Sequence, residues 1–311
     1  MITRETLEDM AQTCGLDDAA AAPAYPVPVD PSVLAALVRR MPPDLAYLQR
    51  GLERRLDPGL VLPMVRTVVV TALSYATRAA GAEALPEGHV FVSRHAWCVD
   101  YHRTVGSRVK RLAEMIAREA GARTRWYVDT GPVLEKAYGA ASGLGFIGRN
   151  TLLIHPRLGS FIFLGVILSD ATIEQRPRLT QGCGNCTLCQ AACPAGALKK
   201  PYELDAARCA AFLNAACKTE VPESMAHALA RNLYGCDLCQ DVCPWNKRAA
   251  CPDRDEFQPL PGLYMPGATE VLALGEDGVR RLFEKSAGRR RDPALVLGVA
   301  RLLMQQAQVV L

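Results

Sequence analysis

Two short runs of cysteine lie between residues 183 and 243, and two further cysteines, Cys209 and Cys217, stand between them. The first run has the spacing C-x2-C-x2-C-x3-C followed by proline, and consists of Cys183, Cys186, Cys189 and Cys193. The second run has three cysteines and is also followed by proline: Cys236, Cys239 and Cys243. Two-residue gaps let one tight loop bring three thiolates to three corners of an iron–sulfur cubane. The pattern therefore predicts two [4Fe–4S] clusters and redox chemistry.

The spacing also predicts how the cysteines divide between the two clusters. In bacterial two-cluster ferredoxins the cysteine just before the proline ligates the other cluster. The second run lacks one ligand, and Cys209 in the segment DAARCAAFL is the candidate to supply it. We therefore predict that cluster one is held by Cys183, Cys186, Cys189 and Cys243, and cluster two by Cys193, Cys209, Cys236 and Cys239.

Structural zinc is the alternative, because zinc sites also use C-x2-C pairs. A zinc ion needs two separated pairs, whereas a packed run of four that is echoed downstream favours iron–sulfur clusters. Disulfides are not expected in a reducing compartment. The other cysteines are interpreted as ordinary buried or free thiols: Cys14, Cys98, Cys217 and Cys251.

Length and composition place these cysteines in a larger globular chain. The sequence has 311 residues, of which 50% are hydrophobic, and a formal net charge of only +4. This length suits two domains, or one large domain with a smaller insert. The N-terminal segment is acidic and polar, unlike an export signal, and apolar stretches such as residues 61–75 contain polar breaks and are too short to span a bilayer. We expect a soluble cytoplasmic protein without a membrane partner.

The hydrophobic pattern predicts an α+β fold around the cysteine-rich part. The predicted elements are a helix over 4–18, a linker or extended segment over 19–31, interrupted helices over 33–60, a strand over 67–73, a helix over 104–121, a strand over 124–128, a helix over 132–142, and strands over 152–155 and 160–168 joined by a turn. We predict three parts: an α/β domain over 1–178, a bacterial-ferredoxin-like two-cluster domain over 179–250, and a basic helical C-terminal segment over 251–311.

A long segment outside the cysteine runs is more specific to one protein family than the cysteine spacing is. VDTGPVLEKAYGAASGLGFIGRNTLLIHPRLGSFIFLG (128–165), with CGNCTLCQAACPAGAL and YGCDLCQDVCPWN (234–246), closely resembles the epoxyqueuosine reductase family. The segments DLAYLQRGLERRLDP (44–58) and DYH (100–102) resemble it as well. The resemblance implies a nitroreductase-like cobalamin-binding α/β domain. It also implies that the enzyme reduces the epoxide of epoxyqueuosine to the alkene of queuosine, at the wobble position of tRNA.

The resemblance also implies which residues do the chemistry. Asp129 is expected to contact the cobalamin site and to donate a proton to the leaving oxygen. The alternative is that Asp129 only caps the predicted helix that begins at Pro132. Glu135, in the same motif, is interpreted as a helix-surface or tRNA-side residue, and His102 as a structural residue beside the site.

Further cofactor contacts follow from the resemblance. The residues that match segments cradling the corrin and its tail are Arg55, Asn150, Thr151, Leu153 and Leu164. For Leu153 and Leu164 the alternative is ordinary strand core. Asp237, between two cluster cysteines, is expected to place cluster two against the corrin edge.

Partners follow from the same interpretation. We expect tRNA carrying epoxyqueuosine, an external electron donor and a monomeric enzyme. A basic segment near the C-terminus could contact tRNA phosphates: Arg280, Arg281, Lys285, Arg289, Arg290, Arg291 and Arg301. The alternative for this segment is a solvated helix end. Two rival functions are a corrinoid reductive dehalogenase and a two-cluster electron carrier, and the carrier leaves residues 1–178 without a role.

Overall fold

The computed structural model describes residues 1–39 and 41–309. Its helices are α1 (Arg4–Thr13), α2 (Pro31–Arg39), α3 (Tyr47–Arg50), α4 (Leu52–Leu56), α5 (Arg94–Trp97), α6 (Tyr101–Ala120), α7 (Glu135–Ala141), α8 (Leu188–Ala191), α9 (Ala226–Leu229), α10 (Leu238–Asp241), α11 (Pro244–Lys247), α12 (Ala268–Ala273), α13 (Gly275–Phe283) and α14 (Pro293–Val309). Its strands are β1 (Asp18–Pro23), β2 (Thr67–Ser74), β3 (Phe91–Val92), β4 (Thr124–Tyr127), β5 (Phe146–Ile147), β6 (Leu153–Ile154), β7 (Ile162–Ser169) and β8 (Asn232–Tyr234).

The described chain forms two compact units. The first consists of Met1–Ser74, His102–Gly148 and Leu152–Gly184. The second consists of Tyr75–Tyr101, Arg149–Thr151 and Asn185–Leu311. The first unit contains the acidic loop, which follows β4 and includes Asp129. The second contains all the candidate cluster cysteines except Cys183.

A four-stranded antiparallel sheet in the order β1-β2-β7-β4 organises the first unit. The β-branched strand β2 is buried along its whole length, as predicted. Side chains alternate between its faces. Val70 belongs to the core that α7 covers, whereas Thr71 pairs with Gly165, on which Val109 of α6 packs. The sheet therefore has helices on both faces, and its strand ends position the loops described below.

The helix over 104–121 and the strand over 124–128 are confirmed as α6 and β4. Of the two alternatives for residues 19–31, the extended segment is confirmed at its start, because β1 pairs antiparallel with β2 in the register Ala20↔Val70. Its alanines have little intrinsic strand preference, so this strand depends on tertiary pairing. The predicted helix over 4–18 ends at Thr13, before Gly15 at φ +75°. The predicted strand over 152–155 pairs with β5 instead of β7.

The second unit contains a two-stranded parallel ladder of β3 and β8 and a C-terminal helical group in which α14 packs on α12 and α13. The cysteine runs lie on short helices, as predicted. The three-part domain boundaries drawn from the sequence remain a prediction. In the described part of the chain, no helix is both long and apolar enough to cross a membrane.

Candidate functional site

The two cysteine runs have the same backbone conformation. Helix α8 carries Cys189 and α10 carries Cys239. The residue before α8, Thr187, has φ −121° and ψ 9°, and its counterpart Asp237 has φ −114° and ψ 1°. In both runs the last cysteine donates its backbone N–H to a glutamine carbonyl three residues earlier, at 3.3 Å and 3.1 Å. The sequence repeat is therefore also a structural repeat.

Four thiols of the second unit influence one another electrostatically. Burial, followed by contributions from Asp237, Cys209 and Cys193, raises the pKa of the Cys236 thiol to about 12. Burial and then Cys236 and Cys209 hold the pKa of Cys239 well above its ordinary value. Coupling of this kind requires proximity. Cys193, Cys209, Cys236 and Cys239 are therefore neighbours, and their assignment to one cubane, on which iron would replace the thiol protons, remains a prediction from the sequence.

The fourth ligand of cluster two was predicted to be Cys209, not Cys217. Cys209 belongs to the coupled group, because the Cys193 thiol also raises its pKa after burial does. The Cys217 thiol instead lies 3.3 Å from the Thr219 hydroxyl. The choice of Cys209 over Cys217 remains a prediction. Cys189 also contributes to the raised pKa of Cys239, a predicted ligand of cluster two, and Cys243 is buried just before α11. The assignment of Cys183, Cys186, Cys189 and Cys243 to cluster one remains a prediction from spacing.

Asp237 lies in a closed network of hydrogen bonds. Its carboxylate is 1% exposed and accepts from the Ser93 hydroxyl at 2.7 Å and from the Arg94 backbone N–H at 2.9 Å. It also accepts from Arg94 Nη1 at 3.2 Å and from Gln240 Nε2 at 3.2 Å. The side chain therefore anchors the second cysteine run within its own unit. Its expected position at the corrin edge remains a prediction.

Backbone conformation and backbone contacts fix the acidic loop of the first unit, which contains Asp129. After β4, Val128 is buried and Asp129 adopts a left-handed conformation at φ +60°, which aspartate tolerates better than most residues. Thr130 donates its N–H to the Val128 carbonyl at 2.7 Å. Gly131 packs so closely on the Tyr127 ring that a Cβ atom would lie 2.4 Å from it. This tight turn points the Asp129 side chain outward, and 61% of it is exposed.

The helix after this loop begins at Glu135, not at Pro132, so that prediction is wrong. Leu134 stands at the N-cap position, and its own side chain makes no capping hydrogen bond. The Glu135 side chain accepts a hydrogen bond from the Asp129 backbone N–H at 3.0 Å. Whether the Asp129 carboxylate caps the helix stays an open alternative.

Two further side chains, those of His102 and Glu135, lie next to Asp129. His102 Nε2 lies 3.5 Å from the Asp129 carboxylate, which agrees with its interpretation as a residue beside the site. Burial, followed by repulsion from Asp129, raises the pKa of Glu135 to about 8. Glu135 is half-buried, and its interpretation as a helix-surface or tRNA-side residue remains a prediction. Sequence reasoning missed its contact with Asp129, because the six-residue separation matches no helical or strand period.

The expected corrin contacts lie in both units. Arg55 is half-buried in α4, and Leu164 is half-buried in β7 against the core. The Leu153 side chain is 3% exposed and packs on Gly139, so the strand-core alternative describes this side chain. Asn150 is buried and Thr151 has φ +66°, both in the second unit. The cofactor roles of these five residues remain predictions.

The basic segment divides into exposed and buried arginines. Arg291 is 9% exposed and donates to the backbone carbonyls of Cys217 and Leu213. It is therefore a structural residue, and its inclusion in a phosphate-binding surface is wrong. Arg289 is paired with Asp100 at 3.0 Å. The exposed members are Arg280, Arg281, Lys285, Arg289, Arg290 and Arg301.

Family models match both parts of this arrangement. Residues 55–130 match the family described as "Epoxyqueuosine reductase QueG, DUF1730", and residues 182–246 match the "4Fe-4S double cluster binding domain". The first match includes Asp129, and the second includes all eight candidate cluster cysteines.

Relatives match over most of the chain. An epoxyqueuosine reductase of Salmonella typhimurium is 33% identical over 281 residues, which cover 87% of this chain and 73% of that protein. One from Synechocystis is 36% identical over 258 residues, covering 81% and 87%.

Solved structures agree with this result. The fold matches an epoxyqueuosine reductase bound to an epoxyqueuosine-modified tRNA stem loop, with a TM-score of 0.84, 27% identity and coverage of 98% of this chain and 81% of that one. It matches the Bacillus subtilis enzyme, described with its catalytic aspartate loop swung out of the active site, with a TM-score of 0.84, 26% identity and coverage of 98% and 82%. The chain therefore belongs to the epoxyqueuosine reductase family.

Proposed function

We propose that this enzyme reduces epoxyqueuosine to queuosine at the wobble position of tRNA, with cobalamin and two [4Fe–4S] clusters as cofactors. One observation carries the proposal: a chain of this family joins a double-cluster domain to a domain in which a tight turn presents one exposed carboxyl group, Asp129. Reduction of an epoxide to an alkene breaks both C–O bonds and consumes two electrons and two protons, with water as the second product. The residues of the chain must therefore deliver electrons and a proton.

The cysteines provide the electron path. The coupled group of Cys193, Cys209, Cys236 and Cys239 would hold one cluster, and the remaining four cysteines the other. Two one-electron carriers in series suit a donor that delivers electrons singly. When bound, cobalamin would supply the low-potential chemistry at the epoxide. The external donor remains a prediction.

Asp129 would supply a proton to the departing oxygen. Its side chain is 61% exposed and can be reached by a substrate atom, while its backbone is fixed by Thr130, Gly131 and Glu135. A donor must keep a proton at working pH and lie within hydrogen-bond reach of the acceptor. A neighbouring carboxyl with a raised pKa, Glu135, keeps a second proton close to this position.

The tRNA substrate is supported by the related enzyme that was solved with a modified stem loop. A base in an anticodon loop must leave its stack before a side chain such as Asp129 can reach it. Exposed arginines of α13 and of the segment after it would contact phosphates without reading the sequence. We expect this reaction in the cytoplasm, by a monomer.

The direct test is anaerobic reconstitution of the chain with iron, sulfide and cobalamin, followed by incubation with an anticodon stem loop that contains epoxyqueuosine. Nucleoside mass spectrometry should show conversion to queuosine that requires reductant. A stem loop with guanine at the same position is the control. No conversion by a chain that holds both clusters and cobalamin would contradict the proposal, whereas conversion without cobalamin would contradict the cofactor assignment.

A further inference from the structure

The structural repeat of the cysteine runs is broken at two positions. In the second run Asp237 precedes α10 and Asp241 is its last residue, and Thr187 and Ala191 occupy the equivalent positions at α8. The intervening residues match, since Leu and Gln recur at the same places. The backbone conformation is nearly identical in both runs, so these carboxylates are not needed to shape a cluster loop. They need another explanation.

One buried arginine joins both carboxylates. Arg94 Nη1 lies 3.2 Å from Asp237 Oδ2 and 2.6 Å from Asp241 Oδ1, and the arginine side chain is only 9% exposed. The guanidinium also lies 5.6 Å from the Trp97 ring centre and 6.0 Å from that of Phe91. A single side chain therefore fixes both ends of α10.

The segment from Cys236 to Cys243, which Arg94 holds in this way, contains three predicted cluster ligands. Cys236 precedes Asp237, Cys239 lies within α10, and Cys243 follows Asp241. Gln240 extends the network, because it donates to Asp237 and also bonds to the buried Tyr75. The network is thus continuous with the loop that holds the second cluster.

The charges of this network do not cancel. One guanidinium faces two carboxylates, and Glu83 adds a further carboxylate near Asp241, so the local charge beside Cys236 and Cys239 is net negative. Reduction adds a negative charge to a cluster, so a nearby carboxylate lowers its reduction potential and a nearby cation raises it. The effect is strong for buried groups, because little water screens them. The first run has no charge at the equivalent positions.

We propose that Arg94 is a positioning residue for the second cluster: it locks both ends of α10 and, with Asp237 and Asp241, sets the reduction potential of that cluster below that of the first. This inference rests on the cluster assignment in the proposed function. It does not depend on the substrate or on cobalamin.

The test uses the full chain, reconstituted anaerobically with iron and sulfide, and measures iron content and both midpoint potentials by EPR-monitored reductive titration at pH 8. Cys209→Ala identifies the redox step that belongs to cluster two. Arg94→Gln should shift this step to lower potential, and Asp241→Asn should shift it to higher potential. The double variant should return towards the wild-type value, since the two charges are in contact.

Two further variants separate charge from folding. Arg94→Lys keeps the charge and should restore most of the potential that Arg94→Gln loses, although an ammonium lacks the fork of a guanidinium. Arg231→Gln is the matched control, because the Arg231 side chain donates to the backbone carbonyls of Leu85, Pro86 and His89. It should leave both potentials unchanged.

If Arg94→Gln fails to retain iron, the midpoint potentials of Arg94→Lys and Asp241→Asn test the proposal in its place. Unchanged potentials in Asp241→Asn with both clusters intact, or shifts of the same sign in Arg94→Gln and Asp241→Asn, would overturn the role of this network and leave the proposed function standing. A wild-type chain that binds no clusters would overturn both.

Discussion

Glu135 Oε1 accepts a hydrogen bond from the backbone N–H of Asp129 at 3.0 Å, so a side chain of α7 fixes the turn that precedes its own helix. The Asp129 carboxyl is left exposed, with His102 at 3.5 Å. A fixed backbone and an exposed side chain are what a positioned proton donor requires. The alternative role of Asp129 as a helix cap is tested by the substitution that follows, because asparagine would cap about as well.

Asp129→Asn should therefore lower turnover by about 10²–10⁴-fold, the usual contribution of a positioned general acid. Asparagine also tolerates the left-handed backbone at this position, so the fold should persist. Iron content and cobalamin binding should match the wild type, and tRNA affinity should change little, because the group acts in the transition state. Single-turnover conversion of a modified stem loop is the measurement. Full activity would remove Asp129 from the mechanism.

Glu135→Gln should change how stability depends on pH. Because burial and Asp129 raise the Glu135 pKa to about 8, the folded protein retains a proton that the unfolded chain releases between about pH 4.5 and 8. The free energy of unfolding therefore falls as pH rises through this window. Glutamine cannot titrate but can still accept the Asp129 N–H.

Denaturant unfolding at pH 5 and pH 8.5 tests this expectation. Between pH 5 and pH 8.5, the free energy of unfolding of Glu135→Gln should rise by on the order of 2 kcal/mol relative to that of the wild type. This is less than the full pKa shift implies, because the side chain is only half-buried. Glu114→Gln on the exposed side of α6 is the control and should show no such gain. Parallel pH profiles for Glu135→Gln and the wild type would contradict the raised pKa.

The sequence predicted features that are encoded locally. Cysteine spacing identified the cluster-binding runs, and the β-branched residues 67–73 identified β2. Features that depend on distant contacts were missed. The alanines of β1 become a strand only by pairing with β2, and Arg94 meets Asp237 across 143 positions of sequence.

The burial and contacts of charged side chains were also missed, because they depend on distant parts of the chain. Arg291 stands among exposed arginines in the sequence, yet its guanidinium is buried against carbonyls from residues 213 and 217. The contact of Glu135 with the Asp129 backbone was missed because the position of Glu135 in α7 does not reveal the turn that approaches it. Burial of a single charged side chain is set by the elements packed around it, which local sequence does not specify.

Asp18 should stabilise the first unit in a pH-dependent way. It contacts His155 Nε2 at 2.9 Å and Arg176 Nη2 at 2.5 Å. Burial opposes its charge, but the hydrogen bonds from His155 and Arg176 prevail and lower the Asp18 pKa to about 2. The stabilisation is therefore complete above about pH 4 and is lost as pH falls towards 2.

Asp18→Asn should lower the free energy of unfolding by about 2 kcal/mol at pH 7, and the difference from the wild type should shrink below pH 4. Urea unfolding at several pH values measures it. Asp9→Asn, an exposed aspartate on α1, should have little effect at any pH. An equal loss for Asp18→Asn at pH 7 and pH 2.5 would show that its contribution is not electrostatic.

The basic segment should separate into binding and structural arginines. Arg290→Ala removes an exposed charge, so it should weaken tRNA binding and reduce the salt slope by about one. Arg291→Ala should instead lower stability, because it leaves buried carbonyls without their donor. Filter binding at several salt concentrations and thermal unfolding measure both effects. An unchanged salt slope in Arg290→Ala would place the tRNA elsewhere.

Iron content should distinguish the two cysteines that could complete cluster two. The reconstituted chain should hold about eight irons and eight acid-labile sulfides. Cys209→Ala should lose one cluster, about four irons, because its thiol is coupled to Cys193 and Cys236. Cys217→Ala should lose none, because its thiol lies beside Thr219 and its backbone carbonyl, which accepts from Arg291, remains. Loss of iron from Cys217→Ala alone would show that the fourth ligand is misassigned, and stoichiometric zinc without iron–thiolate absorption would contradict both clusters.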